Sequence, residues 1–332
     1  MPANWYAHVD TAVNIGVVAT MRYRAPRAVA ARHKILIKGI GIMRFITFQT
    51  EDGPRLGLRQ GDEVVDLAQA DASLPRDLIG LLAIGGDAME QAEKSAESAG
   101  ADARVPYEGL HFLPVIPNPS KIICLGLNYA AHAAEGGHDR PTYPSIFMRG
   151  ANSLTGHLQP IIRPLASEQL DYEAEMVAVV GKTGRHVKEA DALDMIAGYS
   201  IFNEGSVREF QRKTSQWSIG KNFDQTGGFG PDFITADEMP PGGAGLRIQS
   251  RLNGEIMQDD NTDNMLFPVA ETIAILTECL TLQPGDVIVT GTPSGVGHAH
   301  TPPVWMKDGD VCEIEIEGVG VLRNPIKDEV PI

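Results

Sequence analysis

Two glutamates separated by one residue, Glu173 and Glu175, directly precede an apolar run at residues 176–180. The run is partly β-branched, which is typical of a strand that enters a core. Because side chains on a strand alternate between two faces, both carboxylates are expected to point from the same face. At a separation of about 4 Å they would repel by roughly 4 kcal/mol at an effective dielectric near 20. We therefore predict a divalent cation held by their oxygen atoms, with a solvated strand end as the alternative.

The composition limits the kinds of partner this chain can have. It has 332 residues, 43% hydrophobic content and a formal net charge of −15. The length suffices for one large domain plus a small one, and the acidic balance argues against nucleic acid or an anionic membrane as a partner. No apolar stretch reaches about 18 residues, so no membrane span is expected. Three scattered cysteines (Cys124, Cys279, Cys312) favour a reducing compartment, and we predict a cytoplasmic location.

The distribution of charge and a proline-rich connection divide the chain into three predicted parts. Residues 1–42 hold six basic residues against one acidic residue, and resemble a transit peptide only weakly. We predict that they are a poorly ordered N-terminal extension. Residues 43–112 are predicted to be a small N-terminal α/β domain, and a proline-rich connection at 113–120 leads into a catalytic domain over 113–332.

The fold class predicted from turn signals and periodicity is α+β, mostly β. In the small domain the pattern predicts three strands and two helices. In the catalytic domain short strands alternate with turns, and one clear helix interrupts them. The predicted strands cover 45–48, 54–59 and 63–66, and the predicted helices cover 77–84, 88–98 and 269–280.

A candidate general base follows an apolar strand that ends at Gly126. We expect Asn128 to cap a helix on which His132 and Glu135, three residues apart, share a face. A carboxylate that orients an imidazole produces a base that works near neutral pH. A pair on a surface helix is the alternative interpretation.

A third cluster contains an acid, a cation and an amide. If a helix begins near Glu204, then Arg208 and Gln211 follow at i+4 and i+7 and lie on the same face. This face is either an exposed salt-bridged stripe or one wall of a polar site. Lys221 lies among aromatic residues further along, where the pattern by itself favours a surface lysine over a buried ammonium.

A glycine-rich turn at residues 291–297, which includes Thr292, follows an apolar strand. Its backbone N–H groups could bind an anion, but it lacks the ending of a Walker loop and the spacing of a dinucleotide motif. The turn therefore fits a carboxylate-binding loop or a simple hairpin turn, and a nucleotide site is disfavoured.

Taken in order, these segments resemble the fumarylacetoacetate hydrolase family, and in particular its acylpyruvate hydrolase-like branch. The resemblance covers roughly residues 113–326, and the ordered set is more specific than any single motif. The segments that carry it are GLNYAAHAAE, LDYEAE, GYSIFNEGSVREFQ, QWSIGKNFD, GGFGP, LNGEIMQ and VIVTGTPSGVG.

The resemblance implies a β-roll of mixed sheets, usually in a homodimer, with Mg²⁺ or Mn²⁺ in the site and Ca²⁺ as a substitute ion. It also implies a small-molecule partner, a 2-keto or 2,4-diketo acid. Glu173 and Glu175 match two metal ligands, and Glu204 falls where the family usually has an aspartate ligand. Arg149 stands about where a lysine often occurs, and its role is left open.

The remaining roles come from the same resemblance. His132 and Glu135 match a dyad that activates water. Lys221 matches a residue that lines the substrate and metal, where we expect it to stabilise the enolate. The matched substrate-binding residues are Arg208, Gln211 and Thr292.

These inferences predict a divalent-metal-dependent hydrolase that cleaves a C–C bond in an acylpyruvate-type substrate through a metal-bound enolate. A 2-keto acid decarboxylase or a tautomerase or isomerase on the same site is the nearer alternative, because neither needs an attacking water. A non-catalytic binding protein on the same scaffold is the more distant alternative.

Overall fold

The computed structural model describes residues 43–331, so the predicted extension over 1–42 lies outside the described residues. Among the described residues, no helix is both long and apolar enough to cross a bilayer. The helices are α1 (Leu67–Ala70), α2 (Leu78–Ile84), α3 (Gly86–Glu97), α4 (Ala130–Glu135), α5 (Glu189–Ala192), α6 (Arg208–Gln211), α7 (Ser218–Lys221) and α8 (Val269–Cys279).

Strands are more numerous than helices, as predicted. The first nine are β1 (Arg44–Thr50), β2 (Gly53–Gln60), β3 (Glu63–Asp66), β4 (Arg104–Pro106), β5 (Ile122–Gly126), β6 (Ser145–Arg149), β7 (Leu154–Thr155), β8 (Ile161–Arg163) and β9 (Leu170–Asp171). The others are β10 (Ala174–Val180), β11 (Ile196–Glu204), β12 (Ser206–Val207), β13 (Gly227–Thr235), β14 (Arg247–Leu252), β15 (Glu255–Asn261), β16 (Val287–Val289), β17 (Val311–Ile316) and β18 (Gly320–Asp328).

Most of the strands form two mixed sheets. The larger has the order β4-β3-β2-β1-β13-β11-β10-β16-β5-β6, with β7 added beside β13. The smaller has the order β15-β14-β17-β18-β8, and β9 pairs with β12 separately. The prediction of a mostly β fold with mixed sheets is confirmed. Because β1 pairs with β13, the large sheet runs through the predicted domain boundary near residue 113, and that boundary stays a prediction.

Strand β10 is buried on both faces, which explains its continuous apolar sequence. Met176 and Ala178 belong to the core shared with the small sheet, together with Ile248 and Ile314. Val177 and its alternating neighbours belong to the core on the other face, which α2 and α3 cover. Glu173 therefore directly precedes a central strand and Glu175 lies within it, so neither belongs to an exposed edge.

The topology brings several chain segments to one edge of the large sheet. Strands β5 and β16 are parallel, so their carboxyl ends lie together, and β10 is antiparallel to β16, so its first residues lie at the same edge. Strand β11 is antiparallel to β10 and ends there as well. The segments that follow β5, β11 and β16 therefore surround the start of β10.

Candidate active site

Three carboxylates meet at this edge of the sheet because of the register between β10 and β11. Glu175 lies opposite Phe202, and the N–H of Glu204 donates to the carbonyl of Glu173 at 2.9 Å. Residues opposite each other on antiparallel strands point to the same face. Glu173, Glu175 and Glu204 each offer a carboxylate oxygen, and these oxygens all lie within 4.8 Å of one another. None of the three residues is more than 3% exposed, so a solvated strand end is excluded.

The expectation of one helix through Glu204, Arg208 and Gln211 is wrong. Glu204 is the last residue of β11, and helix α6 begins only at Arg208. The strand continues to Glu204 because its backbone pairs with Gly227 of β13. The three side chains still line one cavity, but strand register and a turn bring them together instead of a helical face.

Two buried cations compensate part of this negative charge. Nζ of Lys221 donates to Oε2 of Glu173 at 2.6 Å and to Oε2 of Glu204 at 2.8 Å. Nη2 of Arg208 lies 2.6 Å from Oε1 of Glu173. Lys221 is only 2% exposed, so the pattern-based preference for a surface lysine is wrong. A Cβ on Gly220 would lie 2.3 Å from the backbone nitrogen of Gln211, so glycine at this position lets α7 pack closely against α6.

The two glutamates of the EAE segment experience opposite electrostatic environments. Burial alone would raise the pKa of Glu173, but Arg208 and Lys221 hold it below its usual range. Burial, followed by the nearby carboxylates of Glu204 and Glu173, raises the pKa of Glu175 well above its usual range. Its Oε2 accepts the N–H of Gly291 at 2.6 Å, which compensates it only in part.

His132 and Glu135 form the hydrogen-bonded pair that their spacing predicted. Nδ1 of His132 lies 2.8 Å from Oε1 of Glu135, and Oε2 of Glu135 accepts the N–H of Gly295 at 2.9 Å. Both residues lie on α4, and His132 lines the cavity. Asn128 does not cap α4, because Tyr129 occupies the N-cap position. The Asn128 side chain instead donates to the carbonyl of Thr290 and so joins the start of α4 to the end of β16.

The N–H groups of the glycine-rich turn donate to carboxylates of the protein itself, and the predicted binding of a ligand carboxylate stays a prediction. Its N–H groups at Gly291 and Gly295 donate to Glu175 and Glu135, and that of Gly297 donates to Oδ1 of Asp171 at 2.7 Å. The turn therefore fixes three acids, two from the segment LDYEAE and one from α4. Thr292 lines the cavity, and its Oγ1 accepts from Nε2 of Gln258 at 2.8 Å.

Sequence reasoning missed several residues of the site. Asp171 is fully buried and accepts from Nε of Arg208 at 2.7 Å, although it lies in the quoted segment LDYEAE two residues before Glu173. Gln258 joins the N–H of Ala174 to Thr292 from the neighbouring sheet. Only the close spacing of Asp171 to the glutamates gave a sequence signal, since Gln258 is more than 80 residues from Ala174.

Arg149, whose role the sequence left open, is buried behind the carboxylates. Its guanidinium donates to Oγ1 of Thr226 at 2.9 Å and to the carbonyl of Gly205 at 3.3 Å. Nη1 lies 3.9 Å from Oε1 of Glu204, too far for a hydrogen bond but close enough to attract the charge. Arg149 does not line the cavity.

The cavity in front of these groups has a volume of about 570 Å³. Its inner part is acidic and its remaining wall carries cationic, imidazole and aromatic groups. Glu135 acts on the cavity only through His132. The lining residues are Leu125, Gly126, Leu127, His132, Gly136, His138, Phe147, Glu173, Glu175, Glu204, Arg208, Gln211, Arg212, Thr214, Trp217, Lys221, Thr292 and His298.

The carboxylate cluster fits a hard divalent cation. Oxygen ligands are what such ions require, and three carboxylates supply one oxygen each within a small volume. Oε1 of Glu204 is buried and has no hydrogen-bond partner among the described residues. Leaving a buried carboxylate oxygen without a partner is costly, and a cation at this position would satisfy it.

Comparison with a protein-family model decides the family. The model of the fumarylacetoacetate (FAA) hydrolase C-terminal region matches residues 121–327. The chain belongs to the fumarylacetoacetate hydrolase family. The resemblance inferred from the ordered motifs is therefore confirmed, and the matched region contains every candidate site residue.

Full-length relatives support the same conclusion. The mitochondrial oxaloacetate tautomerase fahd2 of Xenopus laevis is 38% identical over 291 residues, which cover 86% of this chain and 90% of the relative. The solved fumarylacetoacetate hydrolase of psychrophilic Exiguobacterium antarcticum is 32% identical with a TM-score of 0.74, covering 86% of this chain and 100% of that one. The maleylpyruvate hydrolase of Sphingobium sp. SYK-6, solved with manganese(II) and pyruvate, is 28% identical with a TM-score of 0.73, covering 87% and 100%.

Proposed function

We propose that this enzyme is a divalent-metal-dependent tautomerase that interconverts the keto and enol forms of a 2-keto acid of the oxaloacetate class. The observation that carries the proposal is the carboxylate-oriented imidazole of His132 in the same cavity as the three-glutamate cluster. Keto–enol exchange needs a base near the carbon next to the carbonyl, and a group that stabilises the oxygen charge. The names of the tautomerase relatives favour this outcome over hydrolysis.

Glu173, Glu175 and Glu204 would hold the metal, for which Mg²⁺ and Mn²⁺ are the expected ions. When bound, the ion would supply Lewis-acid polarisation of the carbonyl oxygen and offset the negative charge of the cluster. Lys221 and Arg208 keep Glu173 ionised, which a ligand carboxylate requires. Glu204 extends one methylene further than the usual aspartate, and Arg149 faces it from behind.

The proton transfer is assigned to His132. Glu135 accepts from Nδ1, so Nε2 is the nitrogen that can take a proton from the substrate carbon. The N–H of Gly295 holds the second oxygen of Glu135 and so fixes the orientation of the pair. Arg208, Gln211 and Thr292 are proposed to hold the substrate carboxylate and carbonyl, because all three line the same cavity.

A cation without a partner favours a substrate that carries a second carboxylate. Arg212 lines the cavity and forms no ion pair within residues 43–331. Arg212 is exposed to solvent at this wall, and partial burial and the neighbouring Arg208 lower its pKa. A distal carboxylate, such as that of a 2-keto diacid, would give this guanidinium an anionic partner.

Hydrolysis of a 2,4-diketo acid is the second candidate function. The pair of His132 and Glu135 can equally activate water, and a solved neighbour is named a maleylpyruvate hydrolase. Decarboxylation of oxaloacetate would use the same cavity. These outcomes differ in whether water attacks the substrate or carbon dioxide leaves, and the products separate them.

The deciding experiment supplies the metal-loaded enzyme with enol-oxaloacetate, keto-oxaloacetate and acetylpyruvate. The expected result is fast loss of the enol absorbance with no pyruvate, acetate or carbon dioxide released. Acetate and pyruvate from acetylpyruvate would establish the hydrolase instead, and carbon dioxide would establish the decarboxylase. Chelation by EDTA should abolish the reaction, and Mg²⁺ or Mn²⁺ should restore it.

Two further expectations belong to the same proposal. A homodimer is expected, and light scattering during size-exclusion chromatography measures it. Cysteine usage predicts a cytoplasmic location, whereas the names of several relatives include the word mitochondrial. Fusing residues 1–42 to a fluorescent protein separates the two locations.

A further inference from the structure

A second pair of a histidine and a carboxylate borders the same cavity. Nδ1 of His298 lies 3.2 Å from Oδ2 of Asp171, and His298 is among the residues that line the cavity. The His298 side chain is 13% exposed and that of Asp171 is 0% exposed. This is the arrangement of His132 with Glu135, repeated with a different acid on a different segment of the chain.

The hydrogen-bond donors around Asp171 favour its ionised carboxylate. It accepts from Nε of Arg208 at 2.7 Å and from the N–H groups of Gly297 and His298 at 2.7 and 3.0 Å. Because an ionised carboxylate can only accept hydrogen bonds, the hydrogen of the neutral imidazole lies on Nδ1 of His298. Nε2 is then the nitrogen left for proton exchange, and it forms no hydrogen bond within residues 43–331.

One turn of the chain fixes both pairs. The N–H of Gly295 donates to Glu135, and two residues later the N–H of Gly297 donates to Asp171. A Cβ at Gly297 would lie 2.0 Å from the carbonyl oxygen of Val304, and at Gly295 it would lie 2.3 Å from that of Met257. The glycines therefore allow the turn to pack against neighbouring backbone, and this packing holds both acids in place.

We propose that His298, oriented by Asp171, is a second catalytic residue that shares the proton transfer with His132. The proposal rests on the tautomerase function proposed above. Moving a proton between a carbon and the adjacent carbonyl oxygen involves two positions on the substrate. A single base must reach both positions in turn, whereas two imidazoles in one cavity can serve one position each.

The step balances with these two groups alone. One imidazole accepts the proton from C3 of the keto acid, and the electron pair of that C–H bond forms the C2=C3 double bond. The electron pair of the carbonyl π bond moves to O2, which takes a proton from the other histidine, present as imidazolium. The two histidines then exchange protons with water and recover their starting states. No oxidant or reductant is needed.

The test compares His298→Gln with His300→Gln in the metal-loaded enzyme. His300 is a matched control because it lies two residues after His298, where its Nε2 lies 3.3 Å from the carbonyl of Gly295, but it lines a different surface pocket. We expect His298→Gln to lower kcat by about 100-fold or more, the lower end of the range for a lost general acid or base, with little change in KM. His300→Gln should retain wild-type kcat.

Chemical rescue separates a proton carrier from a residue that only supports the turn. Free imidazole should restore part of the rate of His298→Ala, because the vacated space borders the open cavity. A structural role would not respond to imidazole. His298→Asn is the second variant if the alanine variant unfolds. Its amide can still donate to Asp171, but it cannot accept or release a proton as imidazole does.

The possible results divide cleanly. Four results would overturn the role of His298 and leave the tautomerase function in place. The first two are a wild-type kcat in His298→Gln and an equal loss of kcat in His300→Gln. The other two are a change in His298→Gln that affects only KM, and no rescue of His298→Ala by imidazole. An inactive wild-type enzyme would overturn the proposed function and this inference with it. A specific loss of kcat with rescue supports both.

Discussion

The strand side and the turn side of the cavity hold their carboxylates in different ways. On the strand side, Glu173 and Glu204 are paired with the ammonium of Lys221, and Glu175 lies beside them as the least compensated charge. On the turn side, Glu135 and Asp171 accept backbone N–H groups from the glycine-rich turn, and each lies against a histidine.

This difference separates two kinds of chemistry within one cavity. Carboxylates forced together without enough positive charge form a site that a divalent cation can stabilise. Glu135 and Asp171 differ from Glu175, which also accepts an amide of the turn, because each of them in addition pairs with an imidazole and orients it for proton transfer. The strand side is therefore expected to control metal affinity, and the turn side to control the rate of the chemical step.

The largest expected effect comes from Glu175→Gln on the strand side. Loss of this ligand should weaken Mg²⁺ and Mn²⁺ binding by more than the roughly 10–100-fold that removal of a metal's outer-shell partner costs. Isothermal calorimetry measures this affinity. Glu97→Gln, an exposed residue on α3, is the control and should bind metal normally. If Glu175→Gln bound Mg²⁺ and Mn²⁺ with near-normal affinity, the strand side would not be the metal site.

The same substitution should stabilise the metal-free protein. The raised pKa of Glu175 means that its ionisation opposes folding, so stability falls as pH rises from the unfolded-state value of about 4.3 through the raised folded-state value. Glutamine keeps an acceptor for Gly291 and removes the buried charge. A gain of about 1 kcal/mol would raise Tm by roughly 2 °C at neutral pH. Thermal melts of the wild type and of Glu175→Gln, both with EDTA and across the pH range, test this prediction. A lower Tm for Glu175→Gln than for the wild type at neutral pH contradicts it.

The second largest effect is expected from His132→Ala on the turn side. Removing the proposed base should lower kcat by about 10²–10⁴-fold, while the metal affinity stays close to that of the wild type. Kinetics and calorimetry on one preparation give both quantities. If metal affinity fell in parallel with kcat, the division between the two sides would be wrong.

A smaller effect is expected from Gly295→Ala, which disturbs the turn without removing a functional group. Gly295 has φ of +97°, and a Cβ would lie 2.3 Å from the carbonyl oxygen of Met257, so the backbone must shift and the N–H moves away from Glu135. We expect a loss of about 1–3 kcal/mol in stability and a moderate fall in kcat. Gly254→Ala is the matched control, because its φ is +84° and no atom lies within 4 Å of the added Cβ. Equal losses in both variants would show that backbone strain alone is responsible.

The smallest effect is expected from Glu204→Asp. The shorter side chain draws its carboxylate back toward the backbone of β11 and away from Lys221, so the affinity for metal should change by a few fold. Because Mg²⁺ demands stricter octahedral geometry than larger ions, the ratio of Mg²⁺ to Mn²⁺ affinity should change more than either affinity alone. Competition titrations measure this ratio, and an unchanged ratio would mean that Glu204 does not contact the ion.

Local sequence patterns predicted the secondary structure best where an element depends on its own residues. The first three strands and helices α2, α3 and α8 lie within a few residues of their predicted positions, because turn signals and capping residues act locally. The side chain of Asp77, for example, caps α2. The helical arrangement of Glu204 with Arg208 failed, because pairing with distant strands extended β11 through a segment that also fits a helix.

The sequence by itself determined which chemical groups this protein has and in what order they occur. The spacing of Glu173 and Glu175 implied a cation, the spacing of His132 and Glu135 implied an oriented base, and the ordered motifs implied the family that the comparison confirmed.

Tertiary structure alone decided which of these groups act together. The burial of Lys221 between two glutamates and the pairing of His298 with Asp171 join residues up to 127 positions apart. Local patterns cannot encode such contacts, because they arise from strand register and from one glycine-rich turn that packs against neighbouring backbone. The same register that gives the large sheet its core places three acids on one face, and with them the proposed metal site.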